Sequence, residues 1–206
     1  MLHHGQMQAQ PENIEIILRH GPMRSRDLEG LGMSRVALMR LVEQGKLEKL
    51  GRGLYGLRGM AYDENQQLLE VCQQVPKAVI CLLSALQYHG LTTETPHAIW
   101  LAIPEGCRQP GLAYPPVKVC RYSAVSHKAG VQEMEVAGGK IRVYNPAKTV
   151  ADCFKYRNKI GKDVALAALK DCWQQRRATV NELTHYARVC RVLNVMKPHL
   201  EMLSSR

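Results

Sequence analysis

Between residues 11 and 58 three short helical segments and a hairpin follow one another with scarcely a residue to spare, an order that few small folds accept. Pro11 suits a first helical turn, Ile14, Ile17 and Leu18 recur at helical spacing, and Gly21-Pro22 ends the run. Ser25 precedes Arg26-Asp27-Leu28-Glu29, with Leu28 and Leu31 apolar, until Gly30 and Gly32 interrupt. A short second helix and a glycine-bearing turn are expected there. Ser34 is a good N-cap for a third helix over Arg35 to Gln44, in which Leu38, Leu41 and Val42 form one apolar stripe and after which Gly45 stops the run. Leu47 to Leu50 and Leu54 to Leu57 then read as two strands around the glycine-flanked tip Gly51-Arg52-Gly53.

Three helices followed by a hairpin are the order of a winged helix-turn-helix, assigned here to residues 11–58. In that geometry the third helix offers its N-terminal side chains to base edges in the major groove, while its flanks and the hairpin hold phosphates. Arg35 and Arg40 are the candidate base readers, because arginine is the usual partner of guanine O6 and N7. Ser34 and Arg24 are candidates for positioning the backbone, Arg52 for the wing tip, and Lys49 for the strand leading to it. A solvated helix face and a merely convenient turn are the plainer readings of the same residues. The net charge of +10 and the sequence pI near 9.4 favour a polyanionic partner, nucleic acid ahead of a membrane surface or an acidic protein; charge alone does not choose, and the winged-helix order is what points to double-stranded DNA.

From Arg58 to Asn65 no strong period appears, which places a boundary there and a second domain over residues 67–206. Gln66 to Gln74 and Ser84 to His89 read as helices on either side of Pro76. Strands follow at Ala98 to Ile103, Val117 to Tyr122, Val131 to Val136 and Ile141 to Tyr144, the last two hairpinned through Gly138-Gly139. After Pro146 the pattern turns helical, at Thr149 to Tyr156, Val164 to Gln175, Val180 to Val192 and Met196 to Leu203. The fold class expected is therefore α+β: an N-terminal winged helix-turn-helix, then a mixed α+β domain with a small sheet and a helical tail. Residues 140–191 carry twelve Lys and Arg against four Asp and Glu. Lys155, Arg157, Lys159, Arg176, Arg177 and Arg188 in that stretch are candidates for extending a DNA footprint.

Catalytic chemistry finds no foothold. Gly51-Arg52-Gly53 leads into a strand, not the helix that a dinucleotide fingerprint opens, and Ser84 lacks a G-x-S-x-G elbow. His89, His97, His127 and His185 stand apart, and Asp152, Asp163 and Asp171 fit helix caps or pairs with Lys155 and Lys170 better than a metal site. The seven cysteines are single and lack a C-x-x-C pair, so they read as reduced and mostly buried small apolar side chains. No catalytic residue, metal or cofactor is expected. No apolar run approaches membrane-spanning length and the polar first ten residues, expected to be disordered, lack a secretory core, so a cytoplasmic protein without a membrane partner is expected.

Ser84-Ala-Leu-Gln-Tyr-His-Gly-Leu91, Pro96-His-Ala-Ile-Trp-Leu-Ala-Ile-Pro104 and Tyr144-Asn-Pro-Ala-Lys-Thr-Val-Ala-Asp-Cys153 resemble the AbiEi antitoxin family. The likeness extends through Asp163 to Leu169 and Thr184 to Val189, and takes in the N-terminal segment. It implies the antitoxin half of a bacterial abortive-infection, type IV toxin–antitoxin pair. The implied roles are repression of its own operon through the winged helix and neutralisation, by the second domain, of a neighbouring nucleotidyltransferase-like toxin, either functionally or by direct contact. Ser84, Tyr88, Trp100, Lys148, Thr149 and Asp152 mark the resemblance and the domain core, since the family supplies no catalytic residues to transfer. The alternative left open is a winged-helix transcription factor whose second domain senses a ligand or dimerises. A nuclease or nucleotide-transferring enzyme would need converging acidic residues, against which the scattered Asp and Glu argue.

Overall fold

The computed structural model of the chain describes residues 12–51, 53–60, 64–112, 115–136 and 139–204. Arg52, the first ten residues and Gly138 lie outside the described residues, and with them the readings of a wing tip, a disordered leader and a turn. The chain is a mixed α+β protein. Its packing divides it into two compact units, the first made of residues 1–70 with 113–115 and the second of residues 71–112 and 116–206. That boundary falls inside a helix, whereas composition placed it in the stretch after Arg58.

The first unit runs α1 (Glu12–His20), β1 (Met23–Arg24), α2 (Ser25–Gly30), α3 (Arg35–Glu43), β2 (Leu47–Gly51) and β3 (Leu54–Leu57). Its strands form an antiparallel sheet in the order β1-β3-β2. The two-residue β1 escapes sequence reading because no periodicity exists over so short a length.

Glycine closes both α2 and α3. Gly32, at φ +95°, lets the Met33 amide donate to the Leu28 carbonyl and its own amide to Glu29. Gly45, at φ +67°, repeats the device at the end of α3, with Lys46 donating to Leu41 and Gly45 to Val42. Both are left-handed C-terminal caps that a side chain would strain. Between them Ser34 accepts a 3.2 Å hydrogen bond from the Ala37 amide, the N-cap its sequence position predicts.

Ile17, Met23, Leu28, Met33, Leu38, Leu41 and Leu47 are buried together, one or two from each element, with Tyr55 and Leu57 packed against them. Full burial of each such side chain contributes about 1.5–3 kcal/mol, most of which offsets the entropy of ordering the chain.

Helix α4 (Glu64–Gln74) spans the unit boundary, and β4 (Val79–Ile80), α5 (Leu82–Tyr88), β5 (Ile99–Pro104), β6 (Val117–Tyr122), α6 (Ala124–Lys128), β7 (Val131–Val136) and β8 (Gly139–Tyr144) follow. Their sheet has the order β6-β5-β4-β8-β7, with β4 antiparallel to β5 and parallel to β8. The middle strand of five is thus only two residues long. It is the strand the sequence concealed, because Val79-Ile80 is too short to alternate. Helices α7 (Pro146–Lys155), α8 (Arg157–Ile160), α9 (Lys162–Gln174), α10 (Val180–Val189) and α11 (Leu193–Ser204) complete the second unit. Its core gathers Tyr122 and Tyr144 from the sheet with Val150, Phe154, Leu169 and Leu183 from the helices.

Among the described residues no helix is long and apolar enough to cross a membrane, and no group of three metal-ligating side chains converges. All seven cysteines are free, and only Cys107 is not buried.

Candidate nucleic-acid interface

Leu38 and Leu41 fix which side of α3 faces the core, and the rest of the helix follows from its period. Successive residues are about 100° apart around the axis, so Arg35, Met39, Glu43, Val36 and Arg40 fan across the outward side. Arg35 is exposed and Arg40 half-buried, and between them lie Met39 and Val36 in the first two turns and the exposed Glu43 at the end of the helix. Val36 and Met39 are 69% and 45% exposed. Sequence reading passed over both, although the same wheel that put Leu38 inward puts Val36 directly outward.

The other predicted contacts of this unit are distributed differently. Arg24 is exposed on β1, immediately before α2, and Arg26 on α2 is exposed as well. Lys49 is exposed on β2. The register sets Lys49 opposite Tyr55 and Arg24 opposite Leu54. Adjacent residues of β3 point to opposite faces, so the sheet does not bring Lys49 and Arg24 together. The far end of the hairpin is tied to the helices, because the Ser25 amide donates to the Gly53 carbonyl at 3.0 Å.

The basic residues of the second unit fall into two groups. Lys155, Arg157 and Lys159 are partly engaged by their own unit: the Lys155 ammonium lies 5.8 Å from the Tyr122 ring, and Arg157 donates to the Phe154 carbonyl at 2.8 Å. Lys159 approaches the Cys120 sulfur at 3.7 Å and the Trp100 ring at 5.8 Å. The Cys120 thiol is pulled down to about 7 by hydrogen bonding with Cys81 and by the Lys159 charge, against the opposing effect of burial. Arg176, Arg177 and Arg188 are exposed. Arg176 and Arg177, with Lys170, Trp173, Val180 and Met202, line an open groove of about 960 Å³.

Arg176 also holds a backbone position that glycine usually fills. At φ +54° it makes the left-handed cap of α9, its amide donating to Trp173 and the Arg177 amide to Cys172. Arg176→Gly is expected to raise the urea midpoint by an amount worth about 0.5–1 kcal/mol, the cost of the left-handed region for an L-residue less the added freedom of the unfolded glycine. Loss of stability instead would mean that the Arg176 side chain itself holds the groove.

One sequence expectation is corrected. Asp152 does not pair with Lys155; it lies fully buried and takes the Lys148 ammonium at 2.6 and 2.7 Å, one helical turn earlier. Lys148 is equally buried, 4.0 Å from the Tyr144 ring centre and 4.8 Å from that of Tyr122. The Cys190 thiol donates to Asp152 at 3.2 Å. Burial pushes the Asp152 carboxyl above its ordinary range, with Lys148 pulling the other way. Asp163 does stand in the first turn of α9, as expected. Ser84 is buried and accepts from the Trp100 amide at 3.0 Å, and the buried His89 donates from Nε2 to the Tyr144 carbonyl at 2.7 Å. Each is thus engaged with backbone, Ser84 with an amide and His89 with a carbonyl.

Comparison with known proteins bears on the first unit most directly. Residues 14–58 match the model of a family described as transcriptional regulator, AbiEi antitoxin. No curated protein matches the chain. Among solved structures, the crystal structure of RV2827C protein from Mycobacterium tuberculosis is similar at 17% identity and a TM-score of 0.48, over 88% of this chain and 74% of that one. What the comparisons place in the AbiEi antitoxin family of transcriptional regulators is thus residues 14–58, the segment that builds α1 through β3.

Proposed function

We propose that the chain is a DNA-binding repressor and antitoxin that controls its own operon and counteracts a nucleotidyltransferase-like toxin encoded beside it. The first unit is read as a winged helix-turn-helix, with α3 in the major groove of double-stranded operator DNA and the β2–β3 hairpin as the wing. The observation that carries this reading is the outward side of α3, where Arg35 follows the Ser34 cap and Arg40 stands in the last turn, on a segment that matches a family of regulators. Arg24, Ser34, Lys49 and Arg52 supply phosphate contacts in this reading. Arg176, Arg177 and Arg188, with Lys155, Arg157 and Lys159, extend them into the second unit. The neutralising role belongs to the second unit, and the protein acts in the cytoplasm without cofactor, metal or catalysis of its own.

The groove beside Trp173 favours a second reading, a winged-helix transcription factor whose second unit senses a ligand. One experiment separates the two. Full-length Arg35→Ala/Arg40→Ala protein, expressed with the adjacent gene product, is expected to lose repression of a promoter reporter while still restoring growth. Restored repression without any protection of growth by the wild-type chain would favour the ligand-sensing regulator.

A further inference from the structure

We propose that Val36 and Met39 read thymine 5-methyl groups in the operator, so that the site recognised contains thymines beside the bases contacted by Arg35 and Arg40. The inference rests on the DNA-binding reading of α3 and goes beyond it by naming the base and the side chains that select it.

Most of the core-facing side of α3 is filled by Leu38 and Leu41, both buried. The opposite side of a helix on a protein surface ordinarily carries polar residues. Here its most outward position is Val36, 69% exposed, and the neighbouring Met39 is 45% exposed. Valine is also a weak choice for an exposed helical position on propensity alone. Both lie between Arg35 and Arg40 on the same face. Leu31, at the turn leading into α3, is half exposed as well.

An apolar strip between two arginines is complementary to one feature of the major groove. Base edges there present hydrogen-bonding groups, which the guanidinium groups satisfy, and the thymine methyl, the one apolar group, which only apolar side chains reward. Glu43 is exposed on the same side one turn beyond Met39, where its charge would oppose a phosphate. That confines close approach to the first two turns of the helix. A strip of this kind on a chain of net charge +10 fits DNA better than an apolar protein surface, since two arginines beside it would have to be desolvated against such a surface.

The test begins with duplexes enriched from a random pool by the full-length protein. Deoxyuridine, which differs from thymidine only by the missing methyl, is then substituted at each thymine in turn. At one or more positions the loss is expected to be about three- to fivefold per methyl. Val36→Ala or Met39→Ala should abolish the difference between thymidine and deoxyuridine at its position, with the circular dichroism of the protein unchanged and its melting temperature not lowered, because both side chains are exposed and alanine favours the helix. Equal binding of the substituted and unsubstituted duplexes by the wild-type protein overturns the inference. So does a thymidine preference that survives both substitutions. A shift in oligomeric state on sedimentation of Val36→Ala or Met39→Ala would assign the strip to a protein contact and overturn it as well. A pool that yields no enriched sequence would defeat the DNA-reading function itself, and this inference with it.

Discussion

Lys148→Met is expected to destabilise the second unit by about 3–5 kcal/mol, a large share of the roughly 5–15 kcal/mol that holds a typical domain folded. The substitution leaves the fully buried Asp152 carboxylate with a hydrogen bond from the Cys190 thiol, at 3.2 Å, in place of its ammonium partner. It also empties a site where the ammonium lies close to two tyrosine rings, an arrangement that contributes up to about 2 kcal/mol when desolvated. Lys148→Met/Asp152→Leu removes both charges, and most of the lost stability should return, because the burden is the uncompensated charge and not the absent lysine. Tryptophan fluorescence in a urea titration measures this unit selectively, since Trp100 and Trp173 are the chain's two tryptophans and both belong to it. A Lys148→Met midpoint within about 1 kcal/mol of wild type would mean that the pair does not carry the core in this way.

Arg35→Ala/Arg40→Ala is expected to remove sequence preference more than it removes DNA binding. A bidentate arginine–guanine contact is worth about 1–3 kcal/mol of discrimination, so the double variant should lose a factor of at least about 30 between operator and unrelated duplex. Lys49 and Arg24 make the internal contrast. Contacts to phosphate carry no base information, so alanine at either position should weaken all duplexes alike and make the salt dependence shallower by about one counterion. If the double alanine variant behaves in the same way, Arg35 and Arg40 are phosphate contacts and the recognition helix is seated differently.

The parts of the molecule that sequence reading anticipated are those governed by local chemistry. Ser34 caps α3, Gly32 and Gly45 close the turns, and the β2–β3 pairing follows from two short apolar runs around glycines. Each depends on neighbours no further apart than Leu47 and Leu57, which a single sequence displays.

What escaped depends on distant partners. Val79-Ile80 becomes the middle strand only because β5 and β8 arrive on either side of it. Lys148 was counted in the basic excess of the C-terminal stretch, and although the resemblance marked it and Asp152 as domain core, their pairing with each other was not read. Its helix carries a clue. Ala147, Val150, Ala151, Cys153 and Phe154 leave α7 apolar on nearly every side, and an i, i+4 Lys–Asp pair within such a helix has no polar face to occupy. With Lys148 and Asp152 turned inward together, the stretch loses one charge of each sign and the exposed excess is unchanged. The phosphate-contact reading of the tail did not include Lys148 and keeps its six cations, of which Lys155, Arg157 and Lys159 are partly engaged within their own unit.

The central claim is that α3 reads operator DNA, and a binding titration at near-physiological salt tests it most directly. The full-length protein and its Arg35→Ala/Arg40→Ala variant would be titrated against the duplex upstream of the protein's own reading frame and against an unrelated duplex of equal length. The account predicts that the wild-type chain prefers the upstream duplex by at least about a thousandfold, as specific regulators do. It predicts that the variant, folded to the same melting temperature, retains salt-dependent binding with most of that preference gone. Equal affinity of the wild-type chain for the two duplexes, or an undiminished preference in the variant, would contradict it.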